Sequence, residues 1–180
     1  MTTMNTANAA IEVSAPAAAT LAPSIDPRTL RDALGLFATG VTVVTAPGSD
    51  GQPIGITANS FSSLSLEPPL VLWSLALRSP NCGAFEEGRP FAVNVLQREQ
   101  EALALQFARP VEDKFRDVEY RLNRHRVPLL DGAQAQLECT VEFTRVLGDH
   151  LLIVGRVEAL TTLPSEPLLF YRGAFVQLAN

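Results

Sequence analysis

Lysine is almost missing from this chain: of its 14 basic residues only Lys114 is a lysine, and the formal net charge is -5. An acidic chain lacks the basic surface that grips phosphate backbones by releasing counterions, so nucleic acid is not an expected partner. Cysteine is scarce as well. Cys82 and Cys139 stand far apart, without the paired spacing of a zinc site or the density of a disulfide scaffold, and read as two isolated buried thiols. Histidine is limited to His125 and His150, so no metal site is expected. Charges, prolines or glycines interrupt every apolar stretch before it reaches the length of a membrane span. No Lys or Arg precedes Arg28, so the basic start of a signal peptide is missing too. The expectation is a cytoplasmic protein with no membrane partner. There is also no G-x-G-x-x-G, no G-x-x-x-x-G-K-[ST], no H-E-x-x-H and no G-x-S-x-G, which removes the main support for dinucleotide-fold, P-loop, zinc-protease and α/β-hydrolase chemistry.

What is present is the material of one folded domain. Apolar residues make up 47% of the 180 and charged ones 18%, a balance that buries a core rather than staying disordered. The Ala-, Thr- and Pro-rich residues 1–25 read as a disordered tail, and 26–180 as the domain. Asp26-Pro27 has the chemistry of a helix start, and Leu30, Ala33, Leu34 and Phe37 recur at helical spacing. A helix is expected over 27–39, with Gly40 ending it. Alternating Val and Thr at 41–45, a turn at 47–51 and the run 54–61 read as a β-hairpin. Pro68-Pro69 precedes a buried strand over 70–77, and a short helix follows near 81–87. Strand 91–96, helix 98–107, and strands 135–147, 151–160 and 174–178 complete the pattern. Between them 109–125 reads as loop with a short helix around 112–115. Six or seven strands joined by short turns favour a mainly β fold, an antiparallel barrel with flanking helices, over a parallel α/β sheet.

Three places concentrate chemistry. Gly55 to Ser65, GITANSFSSLS, packs five hydroxyls and an amide into one strand and its exit. Such a segment is either a solvent-facing polar strand or a lining that lets backbone and hydroxyl donors approach a planar heterocycle. Arg78-Ser79-Pro80-Asn81 is either an ordinary helix cap or a corner suited to a phosphate. Gly148-Asp149 reads as a hairpin turn, leaving His150 as a surface residue or as a functional acid, donor or stacking group. His125, among Arg121, Arg124 and Arg126, reads as solvated surface.

Taken in order, GVTVVT at Gly40, GITANSFSSLSLEPPL at Gly55, RSPN at Arg78, FAVNVL at Phe91, DKF at Asp113, GDHLLIVGRV at Gly148 and LLFYRG at Leu168 resemble the flavin reductase-like domain family. Its members are the small reductase components of two-component flavin monooxygenases, similar to those serving 4-hydroxyphenylacetate and phenol hydroxylases. The resemblance covers about 28–178. It implies a homodimeric split β-barrel of the FMN-binding type that holds FMN or FAD, accepts hydride from NADH or NADPH, and supplies reduced flavin to a partner monooxygenase, by diffusion rather than in a lasting complex. Carried over position by position, Thr57, Ala58, Asn59 and Ser60 match the flavin-contacting strand, with Ser62 and Ser63 continuing it. Arg78 and Ser79 match the phosphate corner, while Phe107 and Phe115 match flavin-adjacent positions more loosely. His150 matches a histidine beside the nicotinamide, the one candidate catalytic residue, and Tyr171 and Arg172 match a segment bordering the same cleft. Two other readings keep the fold: a flavin-binding or electron-carrying module without turnover, and an oxidase of phosphorylated B6-type substrates.

Overall fold

The structure, a computed structural model, describes residues 25–48, 51–111 and 113–178. All but the last residue of the expected N-terminal tail lies outside that set. Helix α1 spans Pro27–Leu34. The Asp26 carboxylate accepts the Thr29 backbone N–H at 2.9 Å and the Thr29 hydroxyl at 3.0 Å, which satisfies a first-turn donor and holds the Asp26 carboxyl below its usual range. The helix stops five residues before its expected end. It buries none of its residues, so its apolar spacing has no core face to propagate, and the chain at Thr39–Gly40 pairs instead as strand β1. Gly40 therefore lies in a strand and does not cap the helix.

Strands β2 (Thr42–Pro47) and β3 (Pro53–Ala58) make the expected hairpin, in register from Thr42 opposite Ala58 to Pro47 opposite Pro53. The expected run 54–61 breaks at Asn59, and Ser62–Leu66 forms a separate strand β4, hairpinned to β5 (Pro69–Ala76). A four-residue 3₁₀ turn, Cys82–Phe85, leads to β6 (Pro90–Val95) and helix α2 (Glu101–Ala108). The stretch expected to be loop holds β7 (Tyr120–Leu122), paired with β8 (Pro128–Leu130), and the residues around Asp113–Phe115 form a turn and no helix. Two long strands follow, β9 (Ala135–Leu147) and β10 (His150–Thr162), joined at Gly148, whose φ of 60° a side chain would resist. The chain closes with β11 (Leu169–Tyr171) and β12 (Ala174–Val176).

The fold is mainly β and antiparallel. Seven strands form one sheet in the order β3-β2-β6-β9-β10-β5-β4, while β1-β11-β12 and β7-β8 form two small sheets. A flat seven-stranded sheet would hold its outer strands about 29 Å apart at about 4.8 Å per step. Here those outer strands, β3 and β4, are joined by only three residues, Asn59 to Phe61, which reach at most about 14 Å from Ala58 to Ser62. The sheet must therefore curl until its edges nearly meet. Ser60 tacks the linker down: its hydroxyl accepts the Ser74 backbone N–H at 3.0 Å and donates to the Ser74 carbonyl at 3.3 Å. Among the described residues no strand pairing joins β3 to β4, so the sheet is not a closed barrel.

Inside the curl, Trp73, Phe85 and Phe91 are fully buried and meet edge-on or tilted, with centroids 4.9–6.4 Å apart. Cys139 lies in the same core, where burial and the charges of Glu158 and Glu138 push its thiol up to about 12. A second core lies under α2, built from Val41, Val43, Leu96, Ala104, Phe107, Leu130 and Leu168. Asn94 ties the layers together, donating to the Val43 carbonyl at 3.0 Å and accepting from the Leu130 N–H at 2.9 Å. A buried amide so satisfied costs little and orients β8 on the sheet.

Candidate functional site

Because β3 is an edge strand, one side of its backbone has no strand partner. Helix α2 covers part of that side, held by the Thr57 hydroxyl, which donates to the Ala104 carbonyl at 2.6 Å. Where the cover stops a cleft of about 1010 Å³ opens. Its walls are Pro53 to Ser60, the end of β5 from Ser74 to Ala76, the corner Arg78 to Asn81, the end of α2 and the chain after it from Phe107 to Val111, Lys114 and His150. Thr57, Ala58, Asn59, Ser60, Arg78, Ser79, Phe107 and His150 thus come together from segments up to about ninety residues apart in sequence.

His150 arrives there by register: it lies opposite Ala76 across the β10–β5 ladder. Its Nδ1 sits 2.7 Å from Asp149 Oδ1, and that bond, reinforced by the charges of His150 and Arg78, holds the Asp149 carboxyl below its ordinary value. Arg78 and His150 therefore share one end of the cleft. The corner beside them differs from expectation. The helix expected to open at Asn81 is a 3₁₀ turn of four residues, too short for a helix-end field, so any anion held here is held by the Arg78 guanidinium and local N–H groups.

The hydroxyls of the Ser/Thr-rich segment also differ from expectation, because most of their donors are used inside the protein. Thr57 donates to Ala104, Ser60 to Ser74, and Ser62 to the Ser63 carbonyl at 3.1 Å. Thr57 and Ser60 shape the wall, leaving Asn59, main-chain groups and cations to supply its polarity. Ser62 and Ser63 lie on β4, outside the cleft. Phe115 is also outside: its ring packs edge-on against Phe107 at 4.9 Å and Tyr120 at 5.2 Å. Tyr171 ends β11 of the small sheet near α1 and Arg172 lies in the turn after it, where the Arg172 N–H donates to the Gly35 carbonyl and its guanidinium lies 5.9 Å from the Tyr171 ring. Within one chain neither reaches the cleft. Phe107 is fully buried and forms the floor, with Gly55 packed directly on its ring.

Two cleft cations, Lys114 and Arg109, are not among the residues that the resemblance carries over to the site. The only visible signal was that Lys114 is the sole lysine, sitting inside DKF. Together with Arg78 and His150 they are the only ionisable side chains among the described residues that line the cleft, with no Asp or Glu there, in a chain of net charge -5. Such a cavity is built for an anion.

The sequence model of the family described as "Flavin reductase like domain" matches residues 34–179. The chain belongs to that family. Among its relatives, the FMN reductase (NADH) SmoA of Agrobacterium fabrum is 45% identical over 148 residues, covering 82% of this chain and 84% of SmoA. The reductase component of the flavin-dependent trigonelline monooxygenase of Acinetobacter baylyi is 44% identical over 148 residues. This chain spans about half, 48%, of that relative and of another from Rhizobium meliloti. Among solved structures, the Streptomyces globisporus NADH:FAD oxidoreductase SgcE6, in complex with NAD and FAD fragments, superposes with a TM-score of 0.80 at 40% identity. The match covers 88% of this chain and 98% of that one. The flavin reductase PheA2 superposes with a TM-score of 0.79 at 37% identity, over 87% of this chain and 100% of its own.

Proposed function

We propose that this flavin reductase-like chain passes hydride from NADH or NADPH to FMN or FAD and releases reduced flavin to a flavin-dependent monooxygenase. The observation that carries the reading is the cleft lined by the TANS segment, whose ionisable side chains, among the described lining residues, are Arg78, Arg109, Lys114 and His150. Its volume of about 1010 Å³ sits at the upper end of the roughly 300–1,000 Å³ usual for one ligand, consistent with room for two. Relatives named for NADH, with FMN in one case and FAD in another, support NADH as the donor.

When bound, the flavin supplies the hydride-accepting chemistry. The chain has to hold and orient the two ligands and keep charge favourable around them. The wall from Ile56 to Ser60 offers a planar ring main-chain groups and the Asn59 side chain, and Arg78 with Ser79 suits a phosphate. To His150, held by Asp149 at the same end, this reading assigns the contact with the nicotinamide. One steady-state panel crossing NADH and NADPH with FMN, FAD and riboflavin tests the class: flavin-stimulated oxidation of at least one donor is expected, and its absence in every combination refutes the reading. In the same assay His150→Ala should slow hydride transfer about tenfold while flavin affinity stays within about twofold, at a cost near 1.4 kcal/mol in the barrier. Equal loss of both removes His150 from that role.

The curled sheet with adjacent edges supports the split-barrel description. A homodimer is supported by apolar residues left exposed on α1 and the turn after it, Leu30, Leu34 and Phe37, the last 78% exposed. Sedimentation at micromolar concentration should give twice the chain mass, and a monomer there would remove this part. Dependence on NAD(P)H supports a cytoplasmic setting, and no helix among the described residues is long and apolar enough to cross a membrane.

A further inference from the structure

The basic cleft has two poles. Arg78 and His150 occupy one; at the other the Lys114 ammonium donates to the Phe107 carbonyl at 2.8 Å and to the Gly55 carbonyl at 3.2 Å. Extended strand from Gly55 to Ala58 puts about 10 Å between that point and the TANS exit. The loop carrying Lys114 is built to hold it. The Gln106 side-chain amide donates to the carbonyls of Lys114 and Arg116, both at 2.9 Å, Asp113 accepts the Phe115 N–H at 3.1 Å, and the Phe115 ring is lodged against Phe107 and Tyr120.

An ammonium has three N–H donors, and two are used here. Phe107 lies in the last turn of α2, whose carbonyls carry partial negative charge, yet no carboxylate pairs with Lys114 among the described residues. Burial lowers the Lys114 pKa, as expected of a cation lacking a full counter-charge. Arg109 lines the same end. A positioned, half-buried cation with a spare donor, in a cleft whose described lining holds no Asp or Glu, has an anion as its natural complement.

We propose that Lys114 is a second anion-binding residue of the cleft, holding a nucleotide phosphate at the end opposite Arg78. This rests on the reductase reading for the identity of the nucleotide, since both a flavin phosphate and a pyridine-nucleotide pyrophosphate offer the same chemistry. The two sources separate by pairing each ligand with a phosphate-free analogue: FMN with riboflavin, and NADH with 1-benzyl-1,4-dihydronicotinamide. Lys114→Gln keeps a donor for the carbonyls and removes the charge; Lys114→Met removes both, and Lys114→Arg keeps the charge.

Flavin affinity is read by fluorescence quenching and donor affinity by KM, with Tm recorded for each variant. Lys114→Gln and Lys114→Met should weaken one phosphate-bearing ligand by about 10- to 100-fold, leave its phosphate-free analogue within about twofold, and be largely rescued by Lys114→Arg. A loss shared equally by ligand and analogue, or no loss, makes Lys114 a structural staple and overturns the proposal. If the wild-type protein binds neither flavin nor NADH, the reductase reading fails by itself. Inorganic pyrophosphate then decides: the proposal stands if it raises the Tm of wild type but not of Lys114→Gln, and falls if both or neither respond.

Discussion

Phe107→Ala should cost the fold about 3–5 kcal/mol, the range for emptying a fully buried phenylalanine site. The ring is 0% exposed, and it fills the second core between Gly55, whose added Cβ would stand 2.2 Å from it, and Phe115, edge-on at 4.9 Å. Domains have about 5–15 kcal/mol in total, so this is a large fraction, corresponding to a fall in Tm of roughly 6–20 °C. Urea denaturation checks it, and a loss under about 1 kcal/mol would contradict the packing described. The same position separates a wall from a ligand contact. Phe107→Leu keeps most of the volume, and flavin affinity within about threefold of wild type is expected. A folded Phe107→Leu protein that no longer binds flavin would mean the ring itself meets the isoalloxazine.

Gly155→Val should be the other severe change, about 3 kcal/mol, at the upper end of what overpacking usually costs. A Cβ at this position would stand 2.3 Å from Phe91 Cζ and 2.8 Å from Cε1, closer than heavy atoms tolerate. Phe91 has nowhere to go, being fully buried with Trp73 and Phe85 at centroid distances of 6.4 and 6.2 Å. Relief must come from the β10 backbone, which already shifts register against β9 between Val154 and Gly155. Differential scanning calorimetry reads the effect, and an unchanged Tm for Gly155→Val would show that the ring can move. Gly55 and Gly155 follow one rule: each is small because an aromatic ring occupies the space that a side chain would take.

The elements legible in the sequence are those long enough to show a period. Strand β9 runs Ala135–Leu147, the expected bounds, and the β2–β3 hairpin pairs as its Val/Thr alternation and turn residues imply. Strands β7, β8 and β11 have three residues each, too few for a period of two to be visible. Helix α1 errs the other way: its apolar spacing reads as a core-facing stripe, yet none of its residues is buried.

The ordered motifs of the sequence by themselves determined the family and proposed the set Thr57 to Ser60, Arg78, Ser79 and His150, because short, chemically distinctive segments survive in the linear text. Tertiary structure alone decided which of these share a cavity, since that depends on which strand is an edge and how far the sheet curls. It moved Ser62 and Ser63 to β4, Tyr171 to a separate sheet and Arg172 to the turn after it, and it used the Thr57, Ser60 and Ser62 donors internally. It also brought in Lys114, whose place is set by carbonyls 59 and 7 residues away in sequence. A backbone carbonyl is the same group in every residue, so no sequence pattern announces such a contact; only the path of the chain does.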